Sequence, residues 1–481
     1  MFWDIWNCGG LLYALYLIFY IENDENVAYL QKKVDKCGAI GHKLLQFLLM
    51  YDGFFSEDGK KKFVHVFEQC ETHGWEETRQ IYMEEFGRTL EEDFLLTEKS
   101  LTPVGSGSIG QVYKLYHKER GVYVALKVKH PGIDSQAYRF IRNISRVLYI
   151  MEWVRHVPFS LLIKEFLNNI HSQLDYPLEA MNTIVMQENF KDEPHILVPE
   201  VFEVSNRVIV MSYHEGVPYT ELEQKGEQNK VSLDMYYFML TSMLVNDFIH
   251  CDMHYGNWKV AFDPDYHIII YDCGIISSTG CDRINKEVVL ALFDGDYTAL
   301  MGILAPNLEH EKKGEELRRY ITEIKALPFA SSSDRFAGFL KKALTLGVQL
   351  NSDVLRGIQA VMMCMSFTRF AINKMTKAVG TDGDCKEVIL CYNHEILKRI
   401  GKYKNLASYI ESWKNENPMM ETVFLNWMEE ALGHKDVEVL IDVTVDKLLG
   451  ICPTGSEPPA EKPPSSESPD RFGAPVLART G

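Results

Sequence analysis

Asp252 and Asn257 stand five residues apart in DFIHCDMHYGNWKV (residues 247–260), and Asp272 follows Asn257 by fifteen, behind IIIY and ahead of Cys273-Gly274. Carboxylate and carboxamide oxygens are the hard donors that magnesium prefers, and phosphate oxygens and waters complete its octahedron. The chemistry such a set could do is phosphoryl transfer: Asp252 orients a hydroxyl or water nucleophile while Asn257 and Asp272 hold the ion. The same stretch also allows a different metal chemistry. His250, Asp252 and His254 alternate and could meet one zinc or iron ion of a hydrolase. The other histidines are dispersed and supply no clear further ligand set.

A phosphoryl donor needs a phosphate-binding element, and TPVGSGSIGQVYKL (residues 102–115) places Gly105, Gly107 and Gly110 at the spacing G-x-G-x-x-G. Three glycines among serines also describe an ordinary hairpin turn. The flanks separate the cases. Gln111–His117 and Val122–Lys129 read as two antiparallel strands around KERG, whereas a dinucleotide fold would open a helix here. Gln111 in place of lysine excludes a G-x-x-x-x-G-K-[ST] loop. A glycine hairpin over phosphates, followed by a strand carrying V-A-[IL]-K, is the protein-kinase arrangement, and here VALK makes Lys127 the phosphate lysine. Gly105, Ser106, Gly107, Ser108, Gly110 and Val112 are then the nucleotide-binding residues of the hairpin.

Such a lysine is held by a helical carboxylate. HSQLDYPLEAMNTIVMQENF offers Asp175 and Glu179 one turn apart, with Pro177 marking the helix start, and Glu179 is the expected partner of Lys127. Two β-rich runs then flank VSNR, as at the end of a small lobe, with the backbone of Met211 to Tyr213 expected to face the adenine.

The rest of the chain must position these groups. It has 481 residues, 46% of them apolar, enough for a large core. A net charge of −17 without a long basic run argues against nucleic-acid binding. Ten scattered cysteines without a C-x-x-C pair suggest neither a zinc site nor a disulfide framework, and fit a reducing compartment. Residues 1–29 read as an apolar amino-terminal segment whose first 21 residues, MFWDIWNCGGLLYALYLIFYI, lack the basic start of a secretory signal and the arginines of a transit peptide. It is expected either to associate with a membrane or to pack on the domain, with a true span as a third possibility. Residues 30–100 read as a helical extension. A small β-rich lobe with inserted helices covers 101–215, and a helical large lobe with the catalytic loop covers 216–451. The Pro- and Ser-rich stretch 452–481 is expected to be disordered.

These motifs together resemble the aarF/UbiB family of atypical protein-kinase-like proteins. FIHCDMHYGN is similar to that family's F-x-H-x-D-x-H-P-G-N, and VALKVKHPGI to its V-A-V-K-V-x-H-P. The resemblance implies an α+β, two-lobed protein-kinase-like fold with added helical extensions. It further implies a Mg2+ cofactor with ATP or ADP, and an atypical kinase or ATPase acting in ubiquinone-type prenyl-lipid metabolism. Membrane lipid or a prenyl-lipid intermediate, with or without a lipid-biosynthesis complex, is the implied partner, and a membrane in mitochondria or plastids the implied location. The alternative is a nucleotide-binding pseudokinase that scaffolds such a complex. The family's K-x-G-Q is represented by Lys43 and Gln46, with Leu45 replacing glycine. Its E-x-D becomes Gln173-Leu174-Asp175, and its D-F-G becomes Asp272-Cys273-Gly274. Where the family usually carries an alanine-rich loop, this chain carries glycines, which let backbone N–H groups approach phosphates more closely.

Overall fold

The structure, a computed structural model, describes residues 2–357 except 50–53, 64–71, 155, 223–227, 255, 263–265, 279–286, 289–296, 309–311, 326–331, 349, 352–354 and 356. The expected disordered tail at 452–481 lies outside the described residues.

The chain opens with helices α1 (Phe2–Tyr20) and α2 (Asp24–Leu49), then a short α3 (Glu57–Lys62), α4 (Trp75–Phe86) and α5 (Leu90–Asp93). The strands of the small lobe follow: β1 (Phe94–Leu95), β2 (Gly105–Ser106), β3 (Gly110–His117) and β4 (Val122–Lys129). Three helices interrupt the sheet, α6 (Ile133–Val154), α7 (Ser160–Leu174) and α8 (Tyr176–Phe190), before β5 (Ile196–Leu197), β6 (Val201–Val204) and β7 (Val208–Ser212). The sheet runs β1-β3-β4-β7-β6, with β2 paired to β3, and every pairing is antiparallel. Alternation sets its buried face. Tyr113 and Leu115 of β3, Val124, Leu126 and Val128 of β4, and Val208 and Val210 of β7 pack with Ile81 and Tyr82 of α4 and Phe94 of β1. The sheet therefore begins at Phe94, a few residues ahead of the boundary expected at 101.

Beyond β7 come α9 (Tyr219–Leu222), α10 (Gln228–Leu244), β8 (Ile249–His250), β9 (Trp258–Ala261), β10 (His267–Ile270) and β11 (Ile276–Ser277), then α11 (Tyr297–Leu304), α12 (Lys312–Lys325) and α13 (Ser332–Thr345). β9 and β10 form an antiparallel hairpin to which β5 adds in parallel, and β8 pairs with β11. One core joins the helical part to the amino-terminal helices, from Leu11 and Leu44 through Phe166 to Phe238 and Phe339.

The apolar amino-terminal segment is a packed helix. Cys8, Leu11, Leu12, Leu15, Ile18 and Phe19 of α1 are buried, and the helix lies on α2 and α6. Trp6, Tyr13 and Tyr20 face outward. Among the described residues, no helix is long and apolar enough to cross a membrane. α2 is kinked at Gly38, whose φ of 65° is a left-handed conformation suited to glycine.

Candidate functional site

Two short pairings collect the acidic groups. β9 and β10 form a hairpin in which Trp258 faces Ile270, and the Tyr271 N–H donates to Asn257 O at 2.8 Å. The fifteen-residue spacing is thus the length of a hairpin that brings Asp272 back beside Asn257. In the second pairing His250 faces Ile276, so Asp252 follows one strand while Asp272 precedes the other. His250 fixes this junction. Its Nε2 lies 3.0 Å from Tyr271 O, and its Nδ1 accepts the Asp252 N–H at 3.2 Å.

With both ring nitrogens committed to backbone, His250 has no lone pair for a metal. Among the described residues, no group of three or more His, Cys, Asp and Glu is placed to hold an ion. The hydrolase alternative therefore lacks its ligands there. Asn257 is buried and donates its amide Nδ2 to Asp252 O at 2.7 Å. That bond uses the amide nitrogen and not the carboxamide oxygen, which, like the Asp272 carboxylate, is a hard oxygen donor of the kind Mg2+ accepts.

Lys127 joins this cluster from the small lobe. It sits on β4 opposite Val112 of β3 and Ile209 of β7. Its ammonium lies 2.6 and 2.8 Å from the two Glu179 carboxylate oxygens and 3.2 Å from Asp272 Oδ2. Glu179 occupies the first turn of α8, where Asp175 is the N-cap and accepts the Leu178 N–H at 3.0 Å. This division of labour separates the two carboxylates: Asp175 starts the helix and Glu179 meets the lysine.

One buried ammonium shared by two carboxylates leaves an excess negative charge. Burial pushes Glu179 up to about 7, opposed by Lys127 and assisted by Asp272. Burial also works against the charge on Asp272, but Lys127 and Lys43 outweigh it and hold that carboxyl well below the usual range. Lys127 itself is drawn above its ordinary value, burial being overcome by Asp272 and Glu179.

Asp252 is buried with three polar neighbours. Lys43 Nζ approaches Asp252 Oδ2 to 3.6 Å, Gln173 Nε2 donates to the same oxygen at 3.2 Å, and His254 Nε2 lies 3.8 Å away. Burial raises the Asp252 pKa, yet Lys43 and then His254 bring it below the ordinary value. Gln173 stands where a glutamate was expected, and as an amide it donates where a glutamate would repel. Gln46, the other residue expected in the extension, is half-buried on α2.

The glycine hairpin is formed as expected. Gly105 and Ser106 pair with Val112 and Gln111, and the Gly107 N–H donates to Gly110 O at 2.9 Å. Ser108 lies within the turn, where it has an interaction of its own. A Cβ on Gly105 would meet nothing within 4 Å, and one on Gly107 only Gly110 O at 3.7 Å. One on Gly110 would sit 2.5 Å from both Tyr176 Oη and Val128 O. Packing thus requires glycine only at the third position.

The backbone expected to face adenine lies at the end of β7. The N–H of Ser212 donates to Glu200 O at 2.8 Å and that of Tyr213 to Tyr123 O at 3.1 Å, while Met211 is paired within the sheet. The Ser212 and Tyr213 N–H groups are thus bonded within the protein.

Further contacts hold the site in place. Asn182 donates to Cys273 O at 3.0 Å and so ties α8 to the backbone after Asp272. His130 Nε2 lies 2.9 Å from Gly107 O, and its Nδ1 is 2.8 Å from His73 Nδ1. Asp272 itself adopts φ 52°, a left-handed conformation uncommon for a side chain with a Cβ. Strain of this kind is characteristic of functional backbone.

A family profile described as the ABC1 atypical kinase-like domain matches residues 65–304. An ABC1 family protein of Schizosaccharomyces pombe is 28% identical over 62% of this chain and 61% of its own length. A protein of Cronobacter sakazakii named probable protein kinase UbiB is 30% identical over 72% of this chain and 60% of its own. A chicken protein, AarF domain-containing protein kinase 1, is 29% identical over 42% of this chain and 40% of its own. The chain thus spans between two fifths and about three fifths of these relatives' lengths. A solved complex of Rv3197 with erythromycin from Mycobacterium tuberculosis is 20% identical, covers 65% of this chain and 74% of its own, and has a TM-score of 0.42, too distant a likeness to carry weight. From the hairpin, the Lys127–Glu179 pair, the Asp252 loop and these matches together, the chain belongs to the aarF/UbiB family of atypical protein-kinase-like proteins and has a two-lobed, kinase-like α+β fold.

Proposed function

We propose that the chain binds a magnesium nucleotide, ATP or ADP, and acts as an atypical kinase or ATPase in ubiquinone-type prenyl-lipid metabolism at a membrane. The observation that carries the nucleotide part is Lys127 Nζ held between Glu179 and Asp272 at ion-pair distance. Lys127 would bind the phosphates, Glu179 would orient Lys127, and Asn257 with Asp272 would hold Mg2+. The ion supplies charge neutralisation between the phosphates. Asp252 would orient the attacking oxygen and accept its proton. The lipid part rests on the resemblance to the UbiB proteins alone. A mitochondrial or plastid membrane, a lipid or prenyl-lipid substrate and a lipid-biosynthesis complex as partner belong to the same proposal.

One observation favours the second possibility, a nucleotide-binding pseudokinase scaffold. Lys43 lies at ion-pair distance from the Asp252 carboxylate and lowers its basicity. Measurement of Mg-ATP binding and turnover, with and without anionic liposomes, separates the two. Turnover supports the enzyme, binding without turnover supports the scaffold, and absence of binding removes both.

A further inference from the structure

Tyr176, the first residue of α8, is wholly buried, and its phenolic oxygen has no hydrogen-bond partner among the described residues. Two ammonium groups approach its ring, Lys127 Nζ at 5.2 Å and Lys129 Nζ at 5.1 Å from the centroid. The hydroxyl reaches the third glycine of the hairpin, since a Cβ on Gly110 would stand 2.5 Å from it. In the register of β3 and β4, Gly110 pairs with Lys129 and Val112 with Lys127. These four residues therefore share one face of the sheet, and Tyr176 fits against it.

The chemistry of this position is that of a donor waiting for an anion. Burial, countered by Lys127 and reinforced by Glu179, holds the phenol above its usual range, so it keeps its proton. Cations over the ring withdraw electron density and strengthen the O–H as a donor. The nearby carboxylates of Glu179 and Asp272 are engaged by Lys127. A buried hydroxyl without an acceptor is destabilising, and a phosphate oxygen beneath the hairpin would relieve that cost.

We infer that Tyr176 Oη donates a hydrogen bond to a phosphate oxygen of the nucleotide bound beneath the Gly105–Gly110 hairpin, making it a determinant of phosphate recognition. This rests on the nucleotide reading proposed above. Tyr176→Phe keeps the ring and both cation contacts while removing the donor, so packing and phosphate recognition become separable.

The test is calorimetric titration of the full chain and Tyr176→Phe with Mg-ATP, Mg-ADP and adenosine, together with thermal melting of each without ligand. The expected result is a loss of about tenfold in affinity for the phosphorylated ligands, equivalent affinity for adenosine, and a melting temperature equal to or above wild type. Equal Mg-ATP and Mg-ADP affinities in the two proteins would overturn the inference alone and assign the hydroxyl to a bound water. A lower melting temperature with unchanged nucleotide affinity would also overturn it, by showing that the hydroxyl has a partner in the resting protein. Absence of nucleotide binding by the wild type would instead remove the reading on which the inference rests.

Discussion

Lys43 of α2 and Asp252 of the catalytic loop, 209 residues apart in sequence, meet at 3.6 Å. The ammonium lowers the proton affinity of the carboxylate proposed to receive the nucleophile's proton. Lys43→Ala should therefore raise the Asp252 pKa and move the acidic limb of the turnover profile to higher pH. Removing the cation should also increase turnover at neutral pH, because the base becomes stronger. A profile that stays in place in the variant would mean that Lys43 does not govern Asp252.

The hairpin glycines divide into two kinds. At Gly105 and Gly107 a methyl group meets open space or an ordinary contact, so the double variant Gly105→Ala, Gly107→Ala should melt within a few degrees of wild type. Its preference should shift from ATP toward ADP by about tenfold, because backbone N–H groups are held off the terminal phosphate. Gly110→Ala should instead cost about 1–3 kcal/mol in stability, since its methyl overlaps Val128 O and Tyr176 Oη. Chemical denaturation read beside nucleotide titration distinguishes the two classes.

The two aspartates should fail differently. Asp252→Asn is expected to retain Mg-ATP binding while turnover falls by about a hundredfold or more. Asp272→Asn should weaken Mg-dependent nucleotide binding itself, as an amide is a poorer magnesium ligand. Titration with and without Mg2+ reads the difference, and normal turnover in both variants would sink the assignment.

His73 gives the fold a pH dependence of definite sign. Burial, then the adjacent His130, lowers its pKa to about 4, with Glu77 opposing. The unfolded chain takes up the proton near the ordinary value of about 6.5. Stability from this site is therefore complete above about 6.5 and is lost as the pH falls toward 4. His73→Phe should flatten that part of the stability curve. A slope unchanged by the substitution would assign the dependence to other groups.

Contiguity decides what could be read from the chain. Asp252, Asn257 and Asp272 announce themselves because one loop and one hairpin fix their spacing, and Glu179 follows from the helix start at Pro177. The strands around KERG and VSNR were equally plain, since their alternation is a local property. The His73–His130 contact joins residues 57 apart, and Gln173 reaches Asp252 across 79, with no local pattern for either. The bond from the Tyr213 N–H to Tyr123 O likewise joins residues 90 apart and leaves no local trace. Helix α1 was ambiguous for a different reason. Lipid and protein interior reward the same apolar composition, and only packing distinguishes them.

The kink at Gly38 separates the two tasks of α2. Ahead of it, Lys33 and Cys37 lie against Gly10 and Cys8 of α1; beyond it, Phe47 packs on Phe166 and Lys43 reaches Asp252. A residue with a Cβ would favour right-handed φ at position 38 and straighten the helix. The direction in which Lys43 points is therefore set by the handedness of a single peptide unit, five residues away, that bonds to neither partner of the ion pair. The conformation of one glycine thus acts as an aiming device for the counter-ion of Asp252.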